Sequence, residues 1–364
     1  MKKQIGVIFG GKSDEYEVSL CSAANVLRAL DKDKYDVVQI GMTKDGSWYV
    51  TGADIEEIEN GEWVNGKNKL RCALPADPTY GGLLVFDEDG RASLAKLDCI
   101  IPVLHGDHGE DGEIQGLFQM AEIPYVGSGV KASANCMDKT AAKQLAKLTG
   151  VRMAEHYVVR IANYKKNPQG EVQKALDELG GYMPLFVKPS SAGSSVGVTK
   201  VTKAEDLGAA ISEALKYDHK ALVEKAIIGR EFEVAVLGNL EPKASSVGEI
   251  KAAAEFYDYD AKYNNPEIQT SIVNDLPAEA LEEIKSYAVK LYKILDCRGL
   301  ARVDFFYADV EVNGSRVVFN EINTLPGFTN ISMYPMLWRH DGIPTNELMD
   351  KLIEYAFEQF KDWA

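Results

Sequence analysis

The sequence is poor in cysteine, and its cysteines do not form a framework. No two of them are spaced as CxxC, and none lies at a spacing typical of metal ligands. This scatter argues against a disulfide-stapled or zinc-bound fold and favours a reducing compartment. The five positions are Cys21, Cys72, Cys99, Cys136 and Cys297.

Long apolar runs are also missing. The run at residues 4–9 spans about six residues, which is shorter than the roughly 7–15 of a signal-peptide core. Nothing in the chain approaches the roughly 18 apolar residues that a membrane-spanning helix requires. We therefore expect a cytoplasmic protein with no membrane partner.

Positive charge is in the minority, with 40 Lys and Arg against 55 Asp and Glu and a net charge of -15. A surface of this sign repels nucleic acid, so we expect no nucleic-acid partner. A phosphate site would need lysines gathered locally. Neither GxxxxGK[ST] nor GxGxxG occurs, which excludes a P-loop and a dinucleotide-binding fingerprint.

Strand and helix patterns alternate in the first third of the chain. Residues 4–9, 35–42 and 97–104 are typical of buried strands, and residues 18–30 show helical spacing. This alternation predicts a parallel α/β sheet. Residues 45–96 interrupt the pattern like an insertion, to which we assign no role.

The remaining two thirds of the sequence predict a mixed α+β architecture. Strands, a glycine-serine loop and a helix are followed by a hairpin and a closing helix at 345–361. The whole chain is therefore predicted as α/β and α+β. We expect an N-terminal α/β domain at 1–127, a central subdomain at 128–228 and a C-terminal subdomain at 229–364.

Asn313-Gly314 is a strong hairpin signal between two strand-like segments. A two-residue turn at this point places Asp304 opposite Asn323, with Glu321 two positions along the strand. A slip of two residues would keep these side chains on one face, whereas a one-residue bulge would separate them.

Arg302 shares the predicted face of Asp304, so two carboxylates, an amide and a guanidinium gather there. Hard oxygen ligands of this kind suit Mg²⁺, commonly together with substrate phosphates. A solvated sheet face with one arginine–carboxylate pair would give the same pattern. The turn at residues 325–327 favours a site.

A strand that ends at Lys188 runs into the small-residue loop 190–197, where glycines and hydroxyls could approach phosphate oxygens. A generic serine-glycine loop is the alternative. The stretch after it contains Glu224 and Glu231, seven residues apart, on either side of an extended connector. Backbone groups and a carboxylate there could bind a nucleoside, although an exposed charged hairpin would look the same.

These motifs, in this order, resemble an ATP-grasp enzyme and, more narrowly, the D-alanine–D-alanine ligase family. The resemblance covers essentially the whole chain. It is carried by GGKSDEYEVS at 10–19, HGDHGEDG at 105–112, MDK at 137–139, FYDYDAKY at 256–263 and the segment 320–335. It implies an ATP-grasp fold preceded by an N-terminal parallel α/β domain.

The resemblance implies a reaction and its cofactors. ATP would phosphorylate the carboxylate of one D-alanine, and the amine of a second D-alanine would displace the phosphate, giving D-alanyl-D-alanine for peptidoglycan. Two Mg²⁺ ions, or Mn²⁺, would bind Asp304, Glu321 and Asn323. The other residues implied for ATP are Lys139, Lys188, Ser195 and Lys262 for phosphates, Glu224, Lys225 and Ile227 for adenine, and Glu231 for ribose.

The resemblance also implies roles around the two D-alanines. Glu15 would pair with the first ammonium, Ser194 and Tyr263 would hydrogen-bond with it, and His105 would lie nearby. Arg302 and the backbone of Gly327 would stabilise the oxyanion. Ser332 would accept the second carboxylate, with Met333 beside it, and relatives suggest a homodimer.

Tyr16 departs from the family pattern, in which many relatives carry histidine or arginine. Relatives with tyrosine include D-serine-adding resistance ligases, so a D-alanine–D-serine or D-lactate ligase is the alternative. Met333 and Tyr263 favour D-alanine. A non-catalytic nucleotide-binding module is a second alternative, which Arg302 argues against because a pure binder needs no oxyanion arginine.

Overall fold

The computed structural model describes residues 2–251 and 269–363. Its first part is a sheet built around β1, an apolar strand with no exposed side chain beyond its first residue. The elements are β1 (Lys3–Gly10), α1 (Tyr16–Ala29), β2 (Tyr35–Met42), β3 (Trp48–Thr51), α2 (Ile55–Glu59), β4 (Lys69–Ala73), β5 (Gly82–Phe86), β6 (Ala92–Lys96), β7 (Cys99–Val103) and α3 (Glu113–Met120).

The strand order of this sheet is β6-β5-β4-β3-β2-β1-β7. β1 pairs in parallel with β2 and β7, as the alternating pattern predicts. The segment 45–96 is no detached insertion, because its strands β3 to β6 extend the same sheet in antiparallel pairs. Trp63 from this segment is fully buried, with its ring 5.4 Å from that of Phe9.

A four-stranded antiparallel sheet in the order β11-β10-β12-β9 follows in the chain. Its apolar face packs against α7 and α8 around Val187, Ile211 and Val223. The elements are α4 (Val130–Met137), α5 (Lys139–Ala146), β8 (Arg152–Met153), β9 (His156–Arg160), α6 (Ile161–Lys166), α7 (Pro168–Glu178), β10 (Leu185–Pro189), β11 (Thr199–Val201), α8 (Leu207–Ala214) and β12 (Lys220–Lys225).

The third sheet has the order β15-β14-β13-β16-β17-β8 among the described residues. Helix α9 covers one face, where Ile284, Ala288 and Leu291 pack on Val303 and Phe305. The elements are β13 (Gly229–Leu237), β14 (Lys243–Lys251), β15 (Gln269–Ile272), α9 (Ala278–Ile294), β16 (Leu300–Val312), β17 (Ser315–Asn323), α10 (Met333–His340) and α11 (Thr345–Trp363).

The pairing of β16 with β17 differs from the one that the turn alone predicts. The turn forms as expected, but the register shifts twice between the turn and the strand ends. Glu321, not Asn323, lies opposite Asp304, and Asn323 lies opposite Arg302. β-Bulges add unpaired residues that a sequence pattern does not reveal. Their net effect is a displacement of two positions, so the polar residues keep a common face.

The closing helices bring the two ends of the chain together. α11 contacts α1 and β7, and Leu348, Leu352 and Ile353 share a core cluster with Val7 and Leu27. This packing places the start of α1 beside the ends of β16 and β17. No described helix is both long and apolar enough to cross a membrane.

Candidate active site

A cleft of about 540 Å³ lies where the three sheets meet. Its lining combines the start of α1, the loop after β10, the ends of β16 and β17 and the loop before α10. Ten of the residues singled out in the sequence line it, namely Glu15, His105, Lys139, Ser194, Arg302, Glu321, Asn323, Gly327, Ser332 and Met333.

Glu15 and Ser194 close one side of the cleft. Glu15 immediately precedes α1, and the hydroxyl of Ser194 donates to its Oε1. The loop can approach because residue 193 is glycine: a Cβ there would lie 2.9 Å from Glu15 Oε2. Ser194 itself has a φ of 47°, the left-handed region that costs a non-glycine residue free energy.

Arg302 is held between two acids. Its Nε and Nη2 donate to Asp304 at 2.8 and 2.7 Å, and Nε lies 3.2 Å from Glu233 Oε1. Although burial works against the charge, the carboxylates of Asp304 and Glu233 raise the pKa of Arg302 well above its usual value. The guanidinium therefore stays charged beside the cleft.

The acid and amide residues of the hairpin form a compact set of hard oxygen donors. Asp304 and Glu321 are direct cross-strand partners. Asn323 Nδ2 donates to Asp304 Oδ2 at 3.2 Å, which turns the amide oxygen of Asn323 away from that carboxylate. Two carboxylates and one amide oxygen on one face fit Mg²⁺ in chemistry and in number.

Lysines from α5 and β10 lie against acids of the second and third sheets. Lys139 Nζ is 3.2 Å from Glu321 Oε2, and Lys188 Nζ is 2.5 Å from Glu224 Oε2. Lys143 Nζ is 2.8 Å from Glu224 Oε1. Burial opposes a charge on Glu224, but Lys143 and Lys188 lower its pKa to about 2. Lys143 was not among the predicted residues; its spacing four residues after Lys139 on a helix was the available signal.

His105 is buried and fixed at both ring nitrogens. Nδ1 lies 3.1 Å from the carbonyl of Leu325 and Nε2 lies 3.1 Å from Ser22 Oγ. Burial lowers the pKa of His105, which favours the neutral form of the ring. These two contacts connect α1 with the loop after β17, which lie on two sides of the cleft.

Glu110 is a second residue that sequence reasoning missed, although it lies within the quoted 105–112 motif. Its carboxyl group accepts from the backbone N–H of Gly106 at 2.9 Å and of Leu325 at 3.4 Å. Burial, followed by the charge of Glu15, raises the pKa of Glu110 to about 8. This group therefore holds a proton at neutral pH while it lines the cleft.

Ser332 marks the far end of the cleft, at the N-terminus of α10. Its Oγ accepts from the backbone N–H of Thr329 at 2.9 Å, and a Cβ at residue 327 would come within 2.9 Å of it. Met333 packs on Gly248 of β14. A helix N-terminus with exposed N–H groups favours a carboxylate or phosphate.

The remaining predicted residues fall outside the cleft lining or outside the described chain. Glu224 and Lys225 are the last two residues of β12, Ile227 lies two residues beyond its end, and Glu231 lies on β13. The backbone N–H of Ile227 has no hydrogen-bond partner within residues 2–251 and 269–363. Lys262 and Tyr263 lie outside the residues that the structure describes.

Comparison with known proteins shows the family. Residues 4–128 match the family described as D-ala D-ala ligase N-terminus, and residues 145–354 match D-ala D-ala ligase C-terminus. A D-alanine–D-alanine ligase of Thermoanaerobacter sp. (strain X514) is 45% identical over 364 residues, which cover 99% of this chain and 98% of the relative.

Two solved structures share the fold. VanG D-Ala:D-Ser ligase from Enterococcus faecalis has a TM-score of 0.85 at 38% identity, covering 98% of this chain and 100% of that one. The D-alanine-D-alanine ligase from Coxiella burnetii has a TM-score of 0.85 at 34% identity, covering 100% and 96%. The fold is thus that of an ATP-grasp enzyme, as predicted. The chain belongs to the D-alanine–D-alanine ligase family, whose members use ATP and typically Mg²⁺.

Proposed function

We propose that this enzyme joins two D-alanine molecules to D-alanyl-D-alanine, with ATP as the energy source and an acyl phosphate as intermediate, for peptidoglycan precursors. The observation that carries the proposal is that a single cleft is lined by Glu15, Arg302 and Ser332. To join two amino acids, a site needs a carboxylate that binds the ammonium of the first and a cation that stabilises the oxyanion. It also needs a group, such as a helix N-terminus, that binds the carboxylate of the second.

The first D-alanine would bind by its ammonium to Glu15, which Ser194 orients through their hydrogen bond. We assign Tyr263 to the same group and His105 to the wall beside it. The carboxylate of this D-alanine attacks the γ-phosphorus of ATP, forming the acyl phosphate and ADP. A cleft that excludes water would protect this intermediate from hydrolysis.

The second D-alanine would place its carboxylate at Ser332 and its methyl group near Met333. Its amine attacks the acyl carbon, and phosphate leaves from the tetrahedral intermediate. Arg302 and the backbone N–H of Gly327 would stabilise the oxyanion. The contacts of Arg302 with Asp304 support this role because they fix the guanidinium before substrate binds.

ATP would lie between the second and third sheets. We assign Lys139, Lys188, Ser195 and Lys262 to the phosphates and Glu231 to the ribose. Adenine would contact Glu224 and the backbone from Lys225 to Ile227. The N–H of Ile227, which has no hydrogen-bond partner among the residues that the structure describes, would offer a donor to a ring nitrogen. This assignment of residues to the phosphates, ribose and adenine rests on the resemblance to the family.

Two Mg²⁺ ions would bind Asp304, Glu321 and Asn323, and Mn²⁺ could replace them. When bound, the metal supplies countercharge for the phosphate oxygens. The chain's contribution is to hold the three oxygen donors on one face of β16 and β17, which their cross-strand pairing supports.

D-serine as second substrate is the other candidate, favoured by the similarity to the D-Ala:D-Ser ligase from E. faecalis. Tyr16, which prompted this alternative, is only 6% exposed and belongs to a core cluster with Phe9 and Trp63. It is not among the described residues that line the cleft. We therefore favour D-alanine.

We further propose a cytoplasmic homodimer built from domains at 1–127, 128–228 and 229–364. A cytoplasmic location suits an enzyme that consumes ATP, and the five cysteines are all free thiols. The three sheets support the division into domains, while Arg152 and Met153 of the central segment pair with the third sheet.

Phosphate release tests the function directly. The enzyme is mixed with ATP and Mg²⁺, and D-alanine, D-serine with D-alanine, or D-lactate with D-alanine is supplied in turn. We expect release with D-alanine alone and no acceleration by the other two. Faster release with D-serine would instead support the D-Ala:D-Ser alternative, and no release under any condition would rule out a ligase of this kind.

A further inference from the structure

Lys143 is a buried lysine, and the proposed reaction assigns it no role. It lies on α5, one helical turn after Lys139, and its relative exposure is 1%. Its ammonium contacts Glu224 and lies 5.8 Å from the ring centroid of Phe319 on β17. Lys143 therefore lies where α5, the second sheet and the third sheet converge. A lysine buried this deeply is rare without a specific partner.

The partner, Glu224, is shared between two lysines. Lys143 contacts Oε1 and Lys188 contacts Oε2, so each carboxylate oxygen has its own ammonium group. Glu224 is itself only 4% exposed. Lys188 comes from β10, which pairs with the strand that carries Glu224. The three side chains thus form a cationic–anionic–cationic row in which Lys143 and Glu224 are buried and the side chain of Lys188 is 13% exposed.

Lys188 and Lys143 differ in how readily their side chains can move. Lys188 stands at the end of β10, next to the loop that runs to Ser194, and our proposed function assigns it to an ATP phosphate. To reach a phosphate, its ammonium must loosen its contact with Glu224. Lys143 lies within helix α5, and its side chain is only 1% exposed. It can keep its contact while Lys188 moves.

We propose that Lys143 is a positioning residue of the nucleotide site, which keeps Glu224 paired when Lys188 turns from Glu224 to the phosphates of ATP. Without Lys143, the departure of Lys188 would leave a buried carboxylate with no countercharge. Removing one partner of a buried pair costs several kcal/mol, whereas replacing both partners can be nearly neutral. Glu224 would then retain Lys188, and nucleotide affinity would fall.

This inference rests on the assignment of Lys188 in the proposed function, but it can be tested without turnover. The measurement is calorimetric binding of ADP in the presence of Mg²⁺, alongside the KM for ATP and for D-alanine. For Lys143→Met, which keeps the volume and removes the charge, we expect about a ten-fold or greater loss of ADP affinity and a matching rise in the KM for ATP. The KM for D-alanine should change by less than about three-fold.

Two further variants separate positioning from simple structural support. Lys143→Arg keeps the charge and should restore ADP affinity to within about three-fold of the parent enzyme. In a Glu224→Gln background no carboxylate needs pairing, so adding Lys143→Met to Glu224→Gln should change ADP affinity by less than about two-fold. Lys147→Met, an exposed lysine one turn further along, is the matched control and should leave all constants unchanged.

Equal losses of ATP and D-alanine affinity in Lys143→Met, or no loss of either, would overturn the proposal. If Lys143→Met alone does not fold, the double variant is compared with Glu224→Gln. The proposal then expects the same ADP affinity within about two-fold, and an additional ten-fold loss would contradict it. Failure of the parent enzyme to release phosphate would refute the ligase function and leave the ADP measurement intact.

Discussion

Ser194 donates a hydrogen bond to the carboxylate of Glu15, which lies 179 positions earlier in the chain. The bond joins the loop after β10 to the residue that immediately precedes α1 and so closes one side of the cleft. Ser194 adopts a left-handed backbone conformation to make it. A strained backbone that is kept at a cleft points to a functional contact.

Ser194→Ala should therefore weaken the binding of the first D-alanine. A hydrogen bond to a charged group contributes about 1.5–3 kcal/mol, so we expect kcat/KM for D-alanine to fall by roughly ten- to one-hundred-fold. The KM for ATP should stay within about three-fold. Steady-state kinetics with each substrate varied in turn decides this. Ser93→Ala, on an exposed edge strand, serves as the control.

Glu321→Gln should lower turnover far more than nucleotide affinity. The amide keeps the size of the side chain but removes one negative charge from the proposed metal ligands. We expect kcat to fall by about 100-fold or more while the KM for ATP changes by less than about five-fold. Glu311→Gln, which changes an exposed acid on the same hairpin, should leave kcat and the KM for ATP unchanged. Equal losses in both constants would count against a metal role at Glu321.

The protonated Glu110 predicts a pH-dependent stability. Its pKa rises from 4.5 to about 8 on folding, because burial and the charge of Glu15 disfavour the carboxylate. The folded protein then binds this proton more tightly than the unfolded chain. The contribution is fully present below about pH 4.5 and is lost as the pH rises towards about 8.

Glu110→Gln keeps the neutral shape at every pH. The urea midpoint of the variant should therefore fall less than that of the parent enzyme between pH 5 and pH 8.5, at roughly equal midpoints near pH 5. All other titrating groups contribute to the pH dependence of both proteins. The difference between the two urea-midpoint curves therefore reports on Glu110. Parallel pH curves would show that the carboxyl group is ionised in the folded enzyme.

Trp63 gives the segment 45–96 a structural role that its sequence did not suggest. The side chain is fully buried, and a Cβ on Gly41 would come within 2.4 Å of its ring. Trp63→Ala should cost about 3–5 kcal/mol in the free energy of unfolding, measured by urea titration. Trp48→Ala, at a half-buried position, should cost clearly less. A similar loss of unfolding free energy in both variants would show that Trp63 contributes no more to the core than Trp48 does.

The regular elements of this fold could be predicted because their signals are local. The apolar run at β1, the spacing of α1 and the Asn313-Gly314 turn each depend on a few neighbouring residues. The bulges in β16 and β17 could not be predicted, because no local residue pattern marks where a strand leaves a residue unpaired. The predicted face survived only because the two shifts add to an even displacement.

The site was predicted in part for a similar reason. Motif resemblance identified ten of the residues that line the cleft, but it gave no account of how they are held. Lys143 and Glu110 act on other residues across sheets, and such contacts appear only once the chain is folded. Tyr16 shows the converse, because a departure in sequence next to Glu15 proved to be a core residue.

The central claim is that the carboxylate of the first D-alanine is phosphorylated in this cleft. D-alanine labelled with ¹⁸O in both carboxylate oxygens tests it, with mass spectrometry of the released phosphate and of the dipeptide. The bridging oxygen of an acyl phosphate leaves with phosphorus, so each phosphate should carry one ¹⁸O atom and each peptide carbonyl should keep one. Unlabelled phosphate formed together with dipeptide would contradict the account.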